Sequence, residues 1–307
     1  MSDRVLISGG TGLIGSRLVE SLRASRVPVR ILSRSAPSGQ QAPNANVEWL
    51  QWDGIHLPDG ALRECAAVIH LAGEPVFGGP LTAARRRRIA SSRIDSTRAI
   101  AAALRSAPSA ERPASFVCAS AVGFYGSRED KVLDESAGPG SGFLSEVCQQ
   151  WEAAAATAAE ALRVVSLRTG IVLARGGGAL PMMALPFRFG VGGRMGNGRQ
   201  WVPWIHIDDV VAMIRGVLQN DTLHGAVNVV SPKPVRNAEL SEAIARALHR
   251  PCLLPVPALA LRLALGTLSD ELLGSRRCTP QRMLDDRFEF AHTEIGSALA
   301  FEFARSA

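Results

Sequence analysis

The chain has 307 residues, enough for one nucleotide-binding α/β domain and a smaller appended unit. Apolar residues make up 47% and charged residues 20%, a balance that supports a full hydrophobic core and excludes an intrinsically disordered chain. The net charge is +6, but only Lys131 and Lys233 among the 34 basic residues are lysines. The arginines form no stripe with interleaved aromatics, so we expect no nucleic-acid partner.

Cysteine usage and hydropathy bear on the compartment. The five cysteines stand far apart with no CxxC pair, which suits a reducing compartment and gives no zinc spacing. Strand-like residues 5–7 follow Met1 almost directly, leaving no room for a signal peptide. The most apolar stretch near the C-terminus, 256–268, is interrupted by Arg262 and is too short to span a bilayer. We therefore expect a cytoplasmic protein without a membrane partner.

Short β-branched runs alternate with longer alanine- and leucine-rich segments through the first half of the chain. Strands are predicted at 4–8, 27–32, 47–49, 67–71, 115–119 and 162–167, and helices at 13–24, 83–106 and 145–161. This alternation predicts an α/β protein with a Rossmann-like, doubly wound parallel sheet covered by helices on both faces.

The pattern changes after Arg168 into a glycine-rich stretch. Predicted helices at 208–219 and 237–248 flank a strand at 226–230, and a proline-punctuated, helical segment runs from Pro251 to a last helix at 293–299. We predict a nucleotide-binding domain at 1–170, to which 200–230 contributes. A smaller α+β substrate lobe would follow at 171–307, including a helical C-terminal domain at about 254–299.

A glycine-rich loop lies where the first strand hands over to the first helix. In this SGGTGLIG run, Gly9 permits a tight turn, Gly12 lets the backbone approach a pyrophosphate, and Gly15 lets helix and strand pack closely. The free amides of the following helix would face the phosphates. The strand before the loop and the amphipathic helix after it are the context that makes the motif a dinucleotide site.

The end of the second strand indicates which dinucleotide binds. A carboxylate there would bind the adenosine ribose hydroxyls and favour NAD, but this chain has Ser33 and Arg34, with no carboxylate before Glu48. A guanidinium can contact a 2′-phosphate with two hydrogen bonds, and the serine adds a donor. These residues favour NADP(H) over NAD.

Several motifs accompany the glycine loop: IHLAG at 69–73, GFYG at 123–126, FLSEVC at 143–148, LRTGIVL at 167–173, PFRFG at 186–190 and PWIHIDD at 203–209. With these motifs, the chain resembles the atypical extended short-chain dehydrogenases/reductases, and more narrowly the NAD-dependent epimerase/dehydratase-like "epimerase family" proteins with a characteristic C-terminal domain. The resemblance implies that the dinucleotide contacts Gly9, Thr11, Gly12, Leu13, Ile14, Gly15, Ser33, Arg34, Leu71, Ala72, Gly73, Arg93 and Val172. Asp53 is a weaker candidate on the adenine side.

The proton relay typical of this superfamily is absent. Ordinary members use a tyrosine and a lysine spaced YxxxK, in which the ammonium lowers the pKa of the phenol. The single tyrosine, Tyr125, is followed four residues later by Glu129, and the expected tyrosine and lysine positions read Phe143 and Val147. The serine position aligns with Ala121, beside Ser120.

Three hypotheses about function remain open from the sequence. The protein is an oxidoreductase or nucleotide-sugar epimerase-like enzyme with a relocated proton donor, an NADPH-binding regulatory or structural protein without turnover, or a different chemistry on the same scaffold. Ser120 and Tyr125 are the predicted catalytic residues, and Glu146 and Cys148 are further proton-donor candidates. Each of them also has an ordinary packing role as its alternative.

Other polar clusters give weaker indications. Four successive arginines at 85–88 circle a helix and cannot form one stripe, so most should be solvated. The HIDD run at 206–209 reads as a strand-end histidine followed by a helix N-cap aspartate, and we predict no metal site. Glu74 lies at a strand end where ligands collect.

The glycine-rich stretch indicates a small-molecule substrate. It carries Arg188, Arg194 and Arg199 with Trp201 and Trp204, which suits an anionic or sugar-like ligand with an indole as stacking face. Alternatively, and equally compatible with the sequence, the stretch is a structured connector between the two lobes and binds no substrate. The sequence leaves the substrate and the oligomeric state open.

Overall fold

A seven-stranded parallel sheet forms the centre of the protein, whose computed structural model describes residues 4–35, 46–77 and 79–304. The order of its strands is β11-β7-β5-β4-β1-β2-β3, and all neighbours are parallel. The strands are β1 (Arg4–Ser8), β2 (Val29–Ser33), β3 (Val47–Gln51), β4 (Cys65–His70), β5 (Ser115–Ala121), β7 (Arg163–Thr169) and β11 (Gly225–Val229). The predicted doubly wound α/β fold is confirmed.

The central strands are apolar throughout because both faces of the sheet are covered. On β1, Val5 and Ile7 point to one hydrophobic cluster while Leu6 points to the other. The first cluster packs under α1 (Leu13–Ala24) and α5 (Ile207–Gln219), and the second under α2 (Ala83–Ser106) and α3 (Phe143–Ala156). The side-chain period of two therefore builds both cores from the same strands.

Predicted boundaries moved most at α3, at the last helix and at the carboxyl ends of strands; the last helix, predicted at 293–299, spans Ile295–Ala304. The third helix begins at Phe143, two residues before the predicted start, and ends at Ala156. Strands β5 and β7 each extend two residues beyond the predicted ends, because Ser120 and Ala121 pair with Arg168 and Thr169. These added residues carry the polar groups at the edge of the sheet.

The remaining elements form a third hydrophobic cluster around Trp204 and three two-stranded sheets. The strands are β6 (Val132–Leu133), β8 (Ile171–Leu173), β9 (Trp201–Val202), β10 (Trp204–His206), β12 (Val235–Arg236) and β13 (Arg277–Cys278). The helices are α4 (Leu180–Arg188), α6 (Asn237–Ala247), α7 (Ala258–Leu265), α8 (Ser269–Leu273), α9 (Gln281–Asp285) and α10 (Ile295–Ala304). Across the described ranges, none of these helices is long and apolar enough to cross a membrane.

The strand order places a crevice at one edge of the sheet. The chain runs outwards from β1 through β2 and β3 on one side and through β4, β5, β7 and β11 on the other. In such sheets ligands bind at the carboxyl ends of the strands, where the order reverses. Here that point lies between β1 and β4, directly at the glycine loop.

Candidate nucleotide-binding site

The glycine loop has the geometry that a dinucleotide site requires. Gly9 adopts a φ of 75°, and a Cβ there would lie 2.7 Å from the backbone nitrogen of Ala72. A Cβ on Gly15 would lie 2.1 Å from the Gly9 carbonyl oxygen. The fold therefore requires glycine at both positions, as predicted: Gly9 for the tight turn and Gly15 for the close contact between helix and strand.

Gly12 differs from the other two glycines because its surroundings are open. Among the described atoms, the Gly9 carbonyl oxygen alone would lie within 4 Å of a Cβ added to Gly12, at 3.3 Å, and Gly12 and Thr11 are exposed. Helix α1 starts after Gly12 with neither a side-chain cap nor an acidic residue in its first turn. Its first amides, including those of Leu13 and Ile14, are left for an external anion.

The loop after β4 closes one side of the crevice. Ala72 touches Gly9, and Arg93 of α2 donates from Nη1 to the Glu74 carbonyl at 2.8 Å. A Cβ on Gly73 would lie 3.3 Å from the Arg93 guanidinium carbon, which in turn lies 5.1 Å from the Trp151 ring centroid. Arg93 therefore holds the loop in shape, and burial lowers its pKa.

The far side of the crevice brings the remaining predicted cofactor residues to the same region. Leu71, Ile14 and Val172 pack together against the cluster beneath α1. Cβ positions on Gly177 and Gly178 would lie 3.4 and 2.9 Å from the methyl carbons of Leu13. The loop after β8 thus covers the start of α1 from above.

At the end of β2, an exposed Arg34 has no ion pair with a carboxylate of the described residues. Glu48 pairs instead with Arg30, at 2.8 Å between Oε2 and Nη2. Asp53 accepts from the amides of Ile55 and His56 and from the His56 ring, all at 2.7 Å. The His56 amide is the main cause that lowers the pKa of Asp53 to about 2. Asp53 is thus a turn-forming residue, and Arg34 is the charge at the strand end.

A buried histidine that the sequence reading missed fixes the base of the loop. The Ser96 hydroxyl donates to the Ser92 carbonyl at 2.7 Å, so it accepts from His70 Nε2 at 3.0 Å. His70 Nδ1 then accepts from the Ser8 hydroxyl at 2.5 Å. Burial lowers the pKa of His70 to about 3, so the ring is neutral and ties β1 and β4 to α2. A polar residue inside an otherwise apolar strand was the available signal.

The Tyr125 side chain is engaged within the protein, which favours the packing role named as the alternative to its predicted catalytic role. Its side chain is fully buried. The hydroxyl lies 2.7 Å from Asn228 Oδ1 and 3.0 Å from the Asp134 carbonyl, and it accepts from Arg168 Nη1 at 3.0 Å. Burial raises the pKa of Tyr125 well above its ordinary value. The ring belongs to a small hydrophobic cluster at the edge of the sheet, so Tyr125 has a packing role in the fold.

Ser120 belongs to a polar network that the sequence reading did not find. Its hydroxyl donates to Glu152 Oε1 at 2.6 Å, and Arg168 binds both oxygens of Glu152 at 2.8 Å. The Arg168 guanidinium carbon lies 3.5 Å from the Phe124 ring centroid. Burial alone would lower the pKa of Arg168, but the contact with Glu152 raises it. Ser120, Glu152 and Arg168 thus form one hydrogen-bonded network at the end of β5.

The other proton-donor candidates differ in exposure. Cys148 is buried, and burial raises the pKa of its thiol to about 12, so it stays protonated and inert. Glu146 is exposed in the first turn of α3, and Glu74 is half-buried behind Arg93. Of these three residues, Glu146 and Glu74 are accessible to a ligand, whereas Cys148 is not.

The two tryptophans of the glycine-rich stretch are already occupied, which corrects their expected role as a stacking face for substrate. The Trp201 ring lies 4.3 and 4.8 Å from the guanidinium carbons of Arg236 and Arg277, and its Nε1 donates to Asp130 at 2.6 Å. Trp204 is fully buried and donates to the Lys233 carbonyl. The stretch is a structured connector, although Arg188, Arg194 and Arg199 remain exposed on it.

The arginine run at the start of α2 divides into two pairs. Arg85 is buried and donates to the carbonyls of Pro75 and Val76, at 2.7 and 3.3 Å. Arg86 lies over the Phe143 ring at 5.2 Å and donates to Thr267. Arg87 and Arg88 are exposed, as expected. Half of the run is therefore structural, and the expectation that most of it is solvated was too broad.

The HIDD run has a different local role from the predicted one, because His206 and not an aspartate caps α5. Its Nδ1 accepts from the Asp208 amide at 3.2 Å, and its Nε2 donates to Glu302 at 3.1 Å. His292 stacks on it with 3.7 Å between ring centroids, and Asp208 pairs with Arg17 at 3.3 Å. His206, Asp208 and His292 place possible metal-ligand atoms within 4.8 Å of one another. Both His206 nitrogens are hydrogen-bonded within the protein. Through Glu302 and His292, His206 fastens the C-terminal segment to the start of α5.

Comparison with known proteins fits this architecture. The sequence profile of the NAD dependent epimerase/dehydratase family matches residues 5–230, and a domain of unknown function, DUF1731, matches residues 256–302. The chain belongs to the NAD dependent epimerase/dehydratase family. The predicted family and its C-terminal domain are confirmed.

Similar proteins occur in bacteria and in animals. The chain is 36% identical over 298 residues to the epimerase family protein YfhF of Bacillus subtilis, covering 96% of both chains. It is similar to the crystal structure of the human epimerase family protein SDR39U1 with NADPH, with a TM-score of 0.88, 32% identity, and 99% and 100% of the two chains covered. A nucleoside-diphosphate sugar epimerase from Corynebacterium glutamicum has a TM-score of 0.80 at 30% identity, covering 99% of this chain and 59% of that one.

Proposed function

We propose that this protein binds NADP(H) along the carboxyl edge of its central sheet. The observation that carries the proposal is the exposed Arg34 at the end of β2, beside a glycine loop that is open at Gly12. The pyrophosphate would lie against the amides at the start of α1, and the adenosine 2′-phosphate would meet Ser33 and Arg34. The similar human protein was crystallised with NADPH, which supports this choice.

The surroundings of Arg34 favour the phosphorylated cofactor. The next two carboxylates in the sequence already have partners. Glu48 is paired with Arg30, and Asp53 accepts hydrogen bonds from the Ile55 amide and the His56 ring. A ribose without its phosphate would therefore meet a cation and no unpaired carboxylate among the described side chains named here. A charge-assisted contact with the 2′-phosphate contributes about 1.5–3 kcal/mol, or about tenfold or more in affinity.

The nicotinamide supplies hydride chemistry, but the residues of this chain offer no tyrosine–lysine pair to move the accompanying proton. Of the two predicted catalytic residues, Ser120 is the one whose hydroxyl donates to a carboxylate, Oε1 of Glu152. We therefore propose an epimerase-like oxidoreductase with slow or unusual turnover. In the oxidative direction, the Ser120 hydroxyl would take the proton of a substrate hydroxyl while it passes its own proton to the Glu152 carboxylate. An anionic or sugar-like small molecule fits the exposed arginines of the connector.

The burial of Tyr125 favours a second candidate, an NADPH-binding protein without turnover. Such a protein would be stabilised by NADPH through mass action without consuming it. Following NADPH absorbance across a panel of carbonyl and nucleotide-sugar compounds separates the two. Oxidation that is lost in Ser120→Ala and in Glu152→Gln supports the enzyme, whereas tight binding without oxidation by any compound supports the second candidate.

Calorimetric titration with NADPH and NADH tests the cofactor assignment. We expect NADPH to bind at least about tenfold more tightly, and Arg34→Glu to remove this preference. Arg87→Glu, at an exposed position of α2, is the matched control for the charge change. Equal affinities in the unmodified protein, or a preference that survives Arg34→Glu, would overturn the assignment.

A further inference from the structure

Exposed apolar side chains are concentrated in two segments of the molecule. Among the described residues, twelve large hydrophobic side chains are exposed, and eight of them lie at 182–191 or 253–263. The most exposed are Leu263 at 81%, Leu253 at 76% and Phe189 at 75%. Contiguous exposed apolar area of this kind marks an interaction surface. The eight residues are Met182, Leu185, Phe189, Val191, Leu253, Leu254, Leu259 and Leu263.

Residues 193–196, which follow the first segment directly, pair with the second segment and so bring the two segments to the same side of the molecule. The Val256 amide donates to the Arg194 carbonyl at 2.8 Å, and the Gly196 amide donates to the Val256 carbonyl at 2.9 Å. A Cβ on Gly193 would lie 1.9 Å from the Leu254 carbonyl oxygen. Helix α7, which continues this surface, has no buried residue among its described side chains. Leu259 and Leu263 of α7 are thus left exposed, at 67% and 81%.

The two stretches of sequence that contain this apolar surface carry positively charged side chains and no negatively charged ones. Residues 161–207 and 243–269 contain no aspartate or glutamate. Within them, Arg188, Arg194, Arg250 and Arg262 are exposed. Nearby acids lie on flanking helices: Glu242 pairs with Arg246 at 3.7 Å, Glu271 pairs with Arg276 at 2.6 Å, and Asp270 is exposed on α8.

We propose that this surface docks on an anionic lipid bilayer, with the leucines and Phe189 entering the interface and the arginines contacting headgroup phosphates. Leucine, phenylalanine and arginine together are the composition of segments that lie in a membrane interface. A second copy of the chain is disfavoured as occupant, because a two-fold contact would set arginines against arginines. The proposal revises the expectation of no membrane partner, and it does not depend on cofactor choice.

Vesicle flotation of the full chain tests the proposal. We expect binding to vesicles of equal phosphatidylcholine and phosphatidylglycerol, none to phosphatidylcholine alone, and release at high salt. Leu263→Glu should abolish flotation, whereas Ile55→Glu, at an exposed apolar position elsewhere, should not. Arg188→Gln and Arg194→Gln should each weaken binding about fivefold, and Arg87→Gln and Arg88→Gln should leave it unchanged.

Three outcomes would overturn the proposal, provided that circular dichroism shows every variant folded. The first is absence of binding to the anionic vesicles, or equal loss in the Ile55 control. The second is dimerisation that depends on concentration and is removed by Leu263→Glu without any vesicle binding, which would assign the surface to a second copy. The third is a change of NADPH affinity in Leu263→Glu without a change in flotation, which would make α7 a cover over the nucleotide crevice.

Discussion

The candidate nucleotide site at the glycine loop, called the nucleotide edge below, and the region around Tyr125 both lie at the carboxyl ends of the strands. They differ in whether their polar groups are exposed or paired within the protein. At the nucleotide edge, Gly12, the first amides of α1 and Arg34 face outwards. Around Tyr125, the hydroxyl, Arg168 and Glu152 are engaged with one another inside the protein. A binding site for a ligand needs polar groups that remain unpaired after folding. The first region has such groups, whereas the polar groups around Tyr125 are bonded to one another.

Substitutions at two glycines sharpen this comparison with the largest expected effects. Gly15→Val should abolish folding, because the added Cβ would lie 2.1 Å from the Gly9 carbonyl oxygen. Gly12→Val should fold and lose NADPH binding, because its side chain would occupy the space of the pyrophosphate. Circular dichroism and calorimetric titration check both. Unchanged NADPH affinity in a folded Gly12→Val protein would show that the loop is only a turn.

Removal of Glu152 probes the internally satisfied region. Glu152→Ala would leave the Arg168 guanidinium buried and unpaired from its carboxylate, which should lower the free energy of unfolding by about 3–5 kcal/mol. Glu242→Ala, which breaks the exposed pair with Arg246, should cost less than about 1 kcal/mol. Urea denaturation of both variants gives the comparison. Equal small losses would mean that the Glu152 network is not structural.

Tyr125→Phe should destabilise the protein by about 1–3 kcal/mol, since Asn228 and Arg168 would each lose a buried partner. NADPH affinity should stay the same because the ring does not reach the crevice. Thermal unfolding and NADPH titration measure the two effects. A protein of unchanged stability that has lost NADPH oxidation would restore the catalytic hypothesis for Tyr125.

The neutral histidines predict a smaller, pH-dependent effect. The pKa of His70 is about 3 in the folded protein and near 6.5 when unfolded, so the unfolded state binds the extra proton as pH falls below about 6.5. Stability should fall towards acid, by up to about 1.4 kcal/mol per pH unit from this residue. His206, whose pKa burial and His292 also lower, acts in the same direction. Unfolding curves between neutral pH and pH about 4 should show the slope, and His70→Asn should reduce it.

Much of the fold and of the nucleotide edge followed from the sequence, because both depend on local pattern. Helices α1 and α2 were predicted at their observed bounds, and the glycine spacing required a turn and a close helix–strand contact that Gly9 and Gly15 now show. Periodicity of apolar residues and the conformational range of glycine act over a few neighbouring residues. They can be read without knowing the rest of the chain.

Which polar groups remain free was decided only by the tertiary structure. Glu152 and Arg168 are 16 residues apart in the sequence, and Tyr125 and Asn228 are 103 apart. Neither contact could therefore be predicted from a local sequence pattern. The sequence by itself determined the family, the parallel sheet, the glycine loop and the absence of the tyrosine–lysine pair. The packing of α3 and β11 against the ends of β5 and β7 decided that Tyr125 is closed off and that Ser120 meets a carboxylate. The partner of a hydroxyl depends on which groups, distant in sequence, the fold brings within hydrogen-bonding distance. Composition and local periodicity do not contain that information.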